Sequence, residues 1–269
     1  MSSRALVVIC VTLSIALISC SINFTSKSTN AEILIFAASS LTESLGEIAT
    51  GFKNEHPNVS LIFNFAGSQQ LSTQLVHGAK ADIFASADWF QMNKITEAGL
   101  AYEQPETFAS NRMVVITPLH DTKVLELQDL VSPGVKIVLA HPNVPAGHYA
   151  TTVIENLSTH PDVPDEYPDL LRNNVVSEET SVRNVLQKVA LGEADAGFVY
   201  ESDAAIPDVF SKVHLITIPA SYNETATYPI TVMRDSQNRK PAEEFITFLR
   251  SLESQTILKK YGFLRSVSK

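Results

Sequence analysis

Cysteine is nearly missing from this chain: among 269 residues there are two, Cys10 and Cys20, both near the N-terminus. Whatever folds after Cys20 has no disulfide to staple it and must rest on its apolar core. Clustered positive charge is missing as well. Lys and Arg number 20 against 29 Asp and Glu, for a net charge of -9, and no basic run stands out. A duplex-binding surface neutralises phosphates with grouped Lys and Arg, so a nucleic-acid partner is excluded. Any small anion captured here is held against the net field by local donors. The motifs Gly-x-Ser-x-Gly, His-Glu-x-x-His and Gly-x-Gly-x-x-Gly and the P-loop are absent, and no spacing brings Ser, His and Asp together, so the chain reads as not an enzyme. There is no internal repeat of solenoid period.

What is present begins with a targeting segment. Arg4 precedes an apolar run from Ala5 to Ser19, shorter than the about 20 residues that a membrane-crossing helix needs. Leu17-Ile18-Ser19-Cys20 resembles a bacterial lipobox, in which the Cys becomes the lipid-modified first residue; the other reading is an ordinary signal peptide whose cleavage discards Cys20. Residues 1–20 are therefore expected to form a lipoprotein-type signal peptide ending in the Cys20 anchor. Residues 21–30, polar and without periodicity, are expected to form a flexible tether.

From Glu32 onward, strand and helix patterns alternate, and 45% apolar residues suffice for one sizeable core or two modest ones. Apolar and β-branched runs predict strands over 32–37, 59–65, 82–86, 113–117, 136–140, 196–200, 213–218 and 228–233. Leu41, Leu45, Ile48, Ala49 and Phe52 recur at helical spacing between the first two. Further helices are predicted at 148–157, at 181–191 and twice near the C-terminus. Asp88 and Gln91 have N-cap spacing ahead of a helix that stops at Gly99, and Ser40-x-x-Glu43 reads as a capping box. The class is α/β with parallel sheets, whose ligands sit at the strand C-terminal ends. Pro- and Tyr-containing stretches at 102–110 and 222–229 flank a central block with its own strands, which predicts two lobes: 31–110 with 226–269, and 111–225.

The turns at those strand ends share a composition. Phe36-Ala37-Ala38-Ser39-Ser40-Leu41, Phe65-Ala66-Gly67-Ser68, Val144-Pro145-Ala146-Gly147 and Thr180-Ser181-Val182 are rich in Ser, Ala and Gly and free of charge. A helix N-terminus leaves N–H groups without intrahelical partners and carries partial positive charge, so several such ends meeting at one point would hold a small oxyanion.

These segments, with Ala81-Asp82-Ile83-Phe84-Ala85-Ser86-Ala87-Asp88, Val182-Arg183, Gly197-Phe198-Val199-Tyr200 and Tyr261-Gly262-Phe263, occur in an order that resembles the molybdate-binding proteins of ABC importers. The resemblance implies a two-lobed periplasmic-binding-protein type II fold, with mixed, mainly parallel sheets flanked by helices. It implies a solute-binding protein, extracytoplasmic in the periplasm or at the cell surface, that passes molybdate, and tungstate with it, to a permease and its ATPase as a monomer with no cofactor. It assigns hydroxyl and backbone donors to Ser40 and Ser68, backbone N–H donors to Ala146 and Val182, and a phenolic donor to Tyr200. A binder of another oxyanion, sulfate or phosphate, and a sensory ectodomain of the same fold are the alternatives.

Each residue also has a plainer reading. Ser40 could cap its helix, Val182 makes an apolar stripe with Val185, Leu186 and Val189, and Tyr200 ends an apolar strand as core rings often do. Gly67 suits either an unusual turn or a close backbone approach. Arg183 is expected to bridge the lobes or face solvent, Asp82 and Asp88 to serve a strand edge and a helix cap, and His141 and His148 lack the further ligands of a zinc site. Glu178 and Glu179 lie near Val182, but four-coordinate oxyanion held by hydrogen bonds is expected, with no free metal cation.

The anchor is testable at once. A Cys20→Ser variant should leave the membrane fraction and be found soluble outside the cytoplasm, read by fractionation and by the mass of the mature N-terminus. Wild-type protein already soluble, with a mature end beyond Cys20, would overturn the lipidation expectation.

Overall fold

A computed structural model of the chain describes residues 30–120 and 122–265; the leader, Cys20 and the tether up to residue 29 lie outside them. In chain order the strands are β1 (Ala31–Ala38), β2 (Val59–Ala66), β3 (Ile83–Ala85), β4 (Glu106–Pro118), β5 (Ile137–Ala140), β6 (Val175–Glu179), β7 (Ala196–Tyr200), β8 (Val213–Thr217), β9 (Thr225–Val232) and β10 (Leu264–Arg265). The helices are α1 (Thr42–Glu55), α2 (Ser68–Val76), α3 (Trp89–Glu97), α4 (Pro145–Leu157), α5 (Tyr167–Asn173), α6 (Val182–Ala190), the short turns α7 (Glu201–Ala204) and α8 (Pro207–Phe210), then α9 (Arg239–Leu249) and α10 (Leu252–Lys260).

The strands form one curled sheet in the order β2-β1-β3-β9-β4-β7-β5-β6, with β8 and β10 also pairing β4 outside that order. Parallel pairs join β1 to β2 and β3, and β5 to β6 and β7, each return being made through a helix. The antiparallel pairs all involve β4 or β9. β4 pairs with β9 from Glu106 opposite Ile230 to Arg112 opposite Thr225, then with β7 from Met113 opposite Tyr200. It thus runs out of one half of the sheet and into the other.

The core follows from the helical stripes. Leu41, Leu45, Ile48 and Phe52 are buried, and Phe52 packs edge-on against Phe245 and Phe248 at 5.2 and 5.5 Å between ring centroids. Each fully buried ring of this kind contributes roughly 1.5–3 kcal/mol. Val182, Val185, Leu186 and Val189 form the buried face of α6 as the spacing predicts. That face lies close on β7, where a Cβ on Gly197 would come within 2.7 Å of the Val185 side chain.

Several boundaries differ from the sequence reading, each for a physical reason. β4 starts at Glu106, well before 113, because both of its faces are buried over Phe108–Asn111, polar residues included, and so it shows no inside-outside alternation. β6 was not anticipated: Val-Val-Ser-Glu-Glu is half polar, as suits the outermost strand. α4 starts at Pro145 rather than 148, since proline fits the first helical position, where its missing N–H has no partner to lose. The capping box is overturned. Ser40 lies within a 3-10 turn, Ser39–Leu41, ahead of α1, no side chain caps either helix start, and Glu43 pairs elsewhere. The Asp88 cap holds: its Oδ1 accepts from Gln91 N at 2.8 Å.

α4 is pressed onto the end of β5 at Gly147, where an added Cβ would stand 2.2 Å from the His141 carbonyl oxygen and 2.4 Å from that of Ala140. Backbone cannot yield as a flexible side chain would. Gly147→Ala should cost about 1–3 kcal/mol, measured as a lowered denaturant midpoint; unchanged stability would show that α4 slides freely on β5.

Candidate functional site

The strands β1, β2, β3, β5, β6 and β7 all point their C-terminal ends at one gap, and the turns that leave them surround a single small cavity. It is lined by Ala38, Ser39 and Ser40 after β1, Ala66, Gly67 and Ser68 after β2, and Ala87 after β3. Val144, Pro145 and Ala146 after β5, Val182 after β6 and Tyr200 ending β7 line it from the other side. The turns Ser39–Leu41, Ser68, Pro145 and Val182 begin helices. Free space at its centre is ≈ 10 Å³, about one water-sized sphere, which leaves no room for an organic substituent. Ser40, Ser68, Ala146, Val182 and Tyr200, the residues singled out from sequence, are all in this lining.

No charged side chain is among them. What faces the cavity is hydrogen-bond donors. Ala146 and Val182 stand in the first turns of α4 and α6, and among the described residues neither N–H reaches a backbone carbonyl. Ser68 Oγ accepts from Ala87 N at 3.0 Å, so its own proton is free to point inward. Ser40 Oγ is 3.0 Å from the Tyr228 hydroxyl. Among the described residues the Tyr200 hydroxyl is buried without a hydrogen-bond partner, and burial holds its phenol well above the usual range, so it keeps its proton. A buried hydroxyl without a partner costs about 1–3 kcal/mol, a cost that an anion in the cavity would remove.

The neighbouring charges are committed elsewhere. Arg183, from the first turn of α6, crosses the gap to Glu43 of α1: Nη1 donates to its Oε1 at 3.1 Å, and Nη2 pairs with Oε2. Its Nε donates to the Ser39 carbonyl at 3.1 Å. Asp203 Oδ1 also lies 3.1 Å from that Nε, yet the single Nε hydrogen points at Ser39, so Oδ1 receives charge without a hydrogen bond. Glu179 pairs with Lys188 and Ser177, and Glu178 faces His141 at 3.9 Å; neither lines the cavity. Asp82 accepts from Leu34 N and Ser236 Oγ at the edge of β1, as a structural group. Among the described residues no His, Cys, Asp and Glu cluster suits a metal ion.

The two sides of the gap touch through groups that the sequence reading overlooked. Gln69 Nε2 donates to the Thr180 carbonyl at 2.8 Å, and Gln91 Nε2 to that of Asn143 at 3.1 Å. Gly67 has ordinary extended backbone, φ -60, and is required by close approach: a Cβ there would stand 2.7 Å from Thr180 O. Tyr228 was missed as well: the sequence reading starts a strand there, but nothing local shows that this mid-strand ring of β9 reaches Ser40.

A sequence profile of the family described as bacterial extracellular solute-binding protein matches residues 33–264. The chain belongs to this family. The molybdate-binding protein ModA of Mycobacterium tuberculosis is 38% identical over 234 residues, covering 87% of this chain and 84% of that protein. Among solved structures, the substrate-binding domain of a putative molybdenum ABC transporter from Clostridium difficile is 32% identical, with a TM-score of 0.66, over 88% of this chain and 100% of that one. The sulfate-binding protein SubI of M. tuberculosis superposes with a TM-score of 0.78 over 87% of each chain at 16% identity, a likeness of fold alone. The cavity of this member lies between two halves of one sheet. Among the described residues no helix is long and apolar enough to cross a membrane.

The Asp203 arrangement has a pH signature. Burial raises its carboxyl from 3.8 to about 6, Arg183 opposing. The folded state therefore binds this proton more tightly than the unfolded chain, so the contribution is fully present below pH 3.8 and lost as pH rises through 6. The difference amounts to roughly 3 kcal/mol. Denaturant midpoints from pH 4 to 7 should show wild type losing stability relative to Asp203→Asn over that window; parallel curves would mean that Asp203 is ionised throughout.

Proposed function

We propose that this chain is an extracytoplasmic solute-binding protein that captures molybdate, and tungstate with it, in the gap between two lobes and delivers it to an ABC permease and its ATPase. One observation carries the reading: a small, uncharged cavity at six strand ends, to which Ser40, Ser68 and Tyr200 offer hydroxyls and Ala146 and Val182 offer helix-start amides. Fixed neutral donors stabilise a dianion without presenting an acceptor or a carboxylate, which supports tetrahedral oxyanion over a cation or an organic acid. The names of the similar proteins in M. tuberculosis and C. difficile point the same way.

The expected lobes, 31–110 with 226–269 and 111–225, have boundaries close to where β4 and β9 pass between the halves of the sheet, which supports a two-lobed receptor hinged there. The anion is cargo and not a cofactor, and no catalytic group faces it. The receptor acts as a monomer, held at the membrane by lipid on Cys20, so that cargo released at the permease is not lost by diffusion.

Calorimetric titration of the purified protein with molybdate, tungstate and sulfate tests the reading. Ser40→Ala and Ser68→Ala should each weaken molybdate binding by roughly 1.5–3 kcal/mol, since an anion shielded from water cannot replace a lost donor. Sulfate, being smaller, should leave donors out of reach and bind far more weakly. X-ray absorption should find four oxygens around molybdenum. Equal affinity for sulfate, a six-oxygen shell, or unchanged affinity in both Ser variants would each refute this account.

A further inference from the structure

Behind the cavity lies a chain of buried polar groups that capture alone does not require. Asn111 is fully buried in β4. Its Oδ1 accepts from Arg112 N at 2.9 Å; that N–H can only donate, so the amide nitrogen must face the opposite way. There Nδ2 donates to Ser202 Oγ at 2.8 Å and approaches the Tyr228 hydroxyl at 3.5 Å. The phenol therefore meets a donor on its Asn111 side. Burial pushes its pKa above the usual range, so it carries its proton, and among the described residues the acceptor within reach is Ser40 Oγ, at 3.0 Å.

We propose that Tyr228, oriented by Asn111, is a positioning residue that donates to Ser40 Oγ and thereby turns the Ser40 proton into the cavity. This deepens the oxyanion reading given above and rests on it. Ser68 is treated alike, with Ala87 N–H occupying its acceptor side, so each hydroxyl meets the anion as a donor already oriented. A free serine hydroxyl rotates and must be fixed on binding; one with a fixed donor behind it does not. The aromatic ring is held independently of its hydroxyl by Phe108, Tyr200 and Phe263, at 6.4, 5.9 and 5.4 Å between centroids, so Tyr228→Phe preserves the packing.

A double-mutant cycle on molybdate affinity decides whether Tyr228 acts through Ser40. Tyr228→Phe should weaken binding about three- to tenfold when Ser40 is present and leave it unchanged in Ser40→Ala, whereas a merely structural role would cost the same in both backgrounds and overturn the proposal. The ligand-free wild-type protein gives an arm that does not depend on the anion or on refolding a variant. Its proton spectrum should contain an exchange-protected Tyr228 hydroxyl resonance with a cross-peak to the Ser40 β protons; a protected Ser40 hydroxyl aimed at Tyr228 would overturn the assigned direction. Wild type that binds none of molybdate, tungstate and sulfate would refute the functional reading, while the spectrum would still decide the bond direction.

Discussion

The path of β4 is the constraint on which the rest depends. Because its first part pairs with β9 and its last part with β7 and β8, it carries the chain from one group of parallel strands to the other. β1, β2 and β3 on one side and β5, β6 and β7 on the other then direct their C-terminal ends at a shared gap. Parallel strands need crossover helices, and each helix starts where its strand has just ended. The concentration of helix starts at one point is thus a consequence of topology. Evolution had only to keep the turns small enough for their amides to be reached, which the Ser, Ala and Gly content of the lining achieves.

Neutrality is the second consequence. The chain carries a net charge of -9, and a lysine or arginine in the cavity would be the simplest remedy for an anion's cost there. Arg183 stands next to the lining and is turned away, satisfied by Glu43 and Ser39 O and neighboured by Asp203. A point charge attracts any anion, whatever its size. Amides and hydroxyls fixed to helix starts act over hydrogen-bond distances alone, so they reward an anion whose oxygens fall where the donors already point. The arginine contributes instead to holding α6 against the turn that carries Ser40.

Much of this was legible in the sequence, and what was not shares a cause. Periodicity located α1 and α6 because each buries one face, and the Ser, Ala and Gly turns stood out because charge is absent from them. The five candidate residues, which line one cavity, could be named because their turns follow one another in a familiar order. The start of β4 and all of β6 escaped, the first because both its faces are buried and the second because it is the half-polar outermost strand. Ser40 misled in a different way. Its spacing to Glu43 satisfies the capping pattern, but the pattern cannot reveal that Tyr228, 188 residues away, competes for its oxygen, nor that Glu43 is drawn off by Arg183, 140 residues away. Such pairings are set by tertiary contact and leave no local trace.

The contacts across the gap clarify what a ligand would add. Gln69 to Thr180 O is exposed, and Gln91 to Asn143 O and Arg183 to Glu43 are only partly buried. Hydrogen bonds in such places contribute about 0.5–1.5 kcal/mol each, and exposed ion pairs often less. Together they are comparable with the entropy of fixing two bodies against each other, so they can align the two sides without locking them. An anion bonded at once to Ser40 and Ser68 on one side and to Ala146, Val182 and Tyr200 on the other belongs to both. On the proposed reading, only when all those donors reach it together does closure become clearly favourable, so selectivity among anions and stability of the closed form are the same quantity.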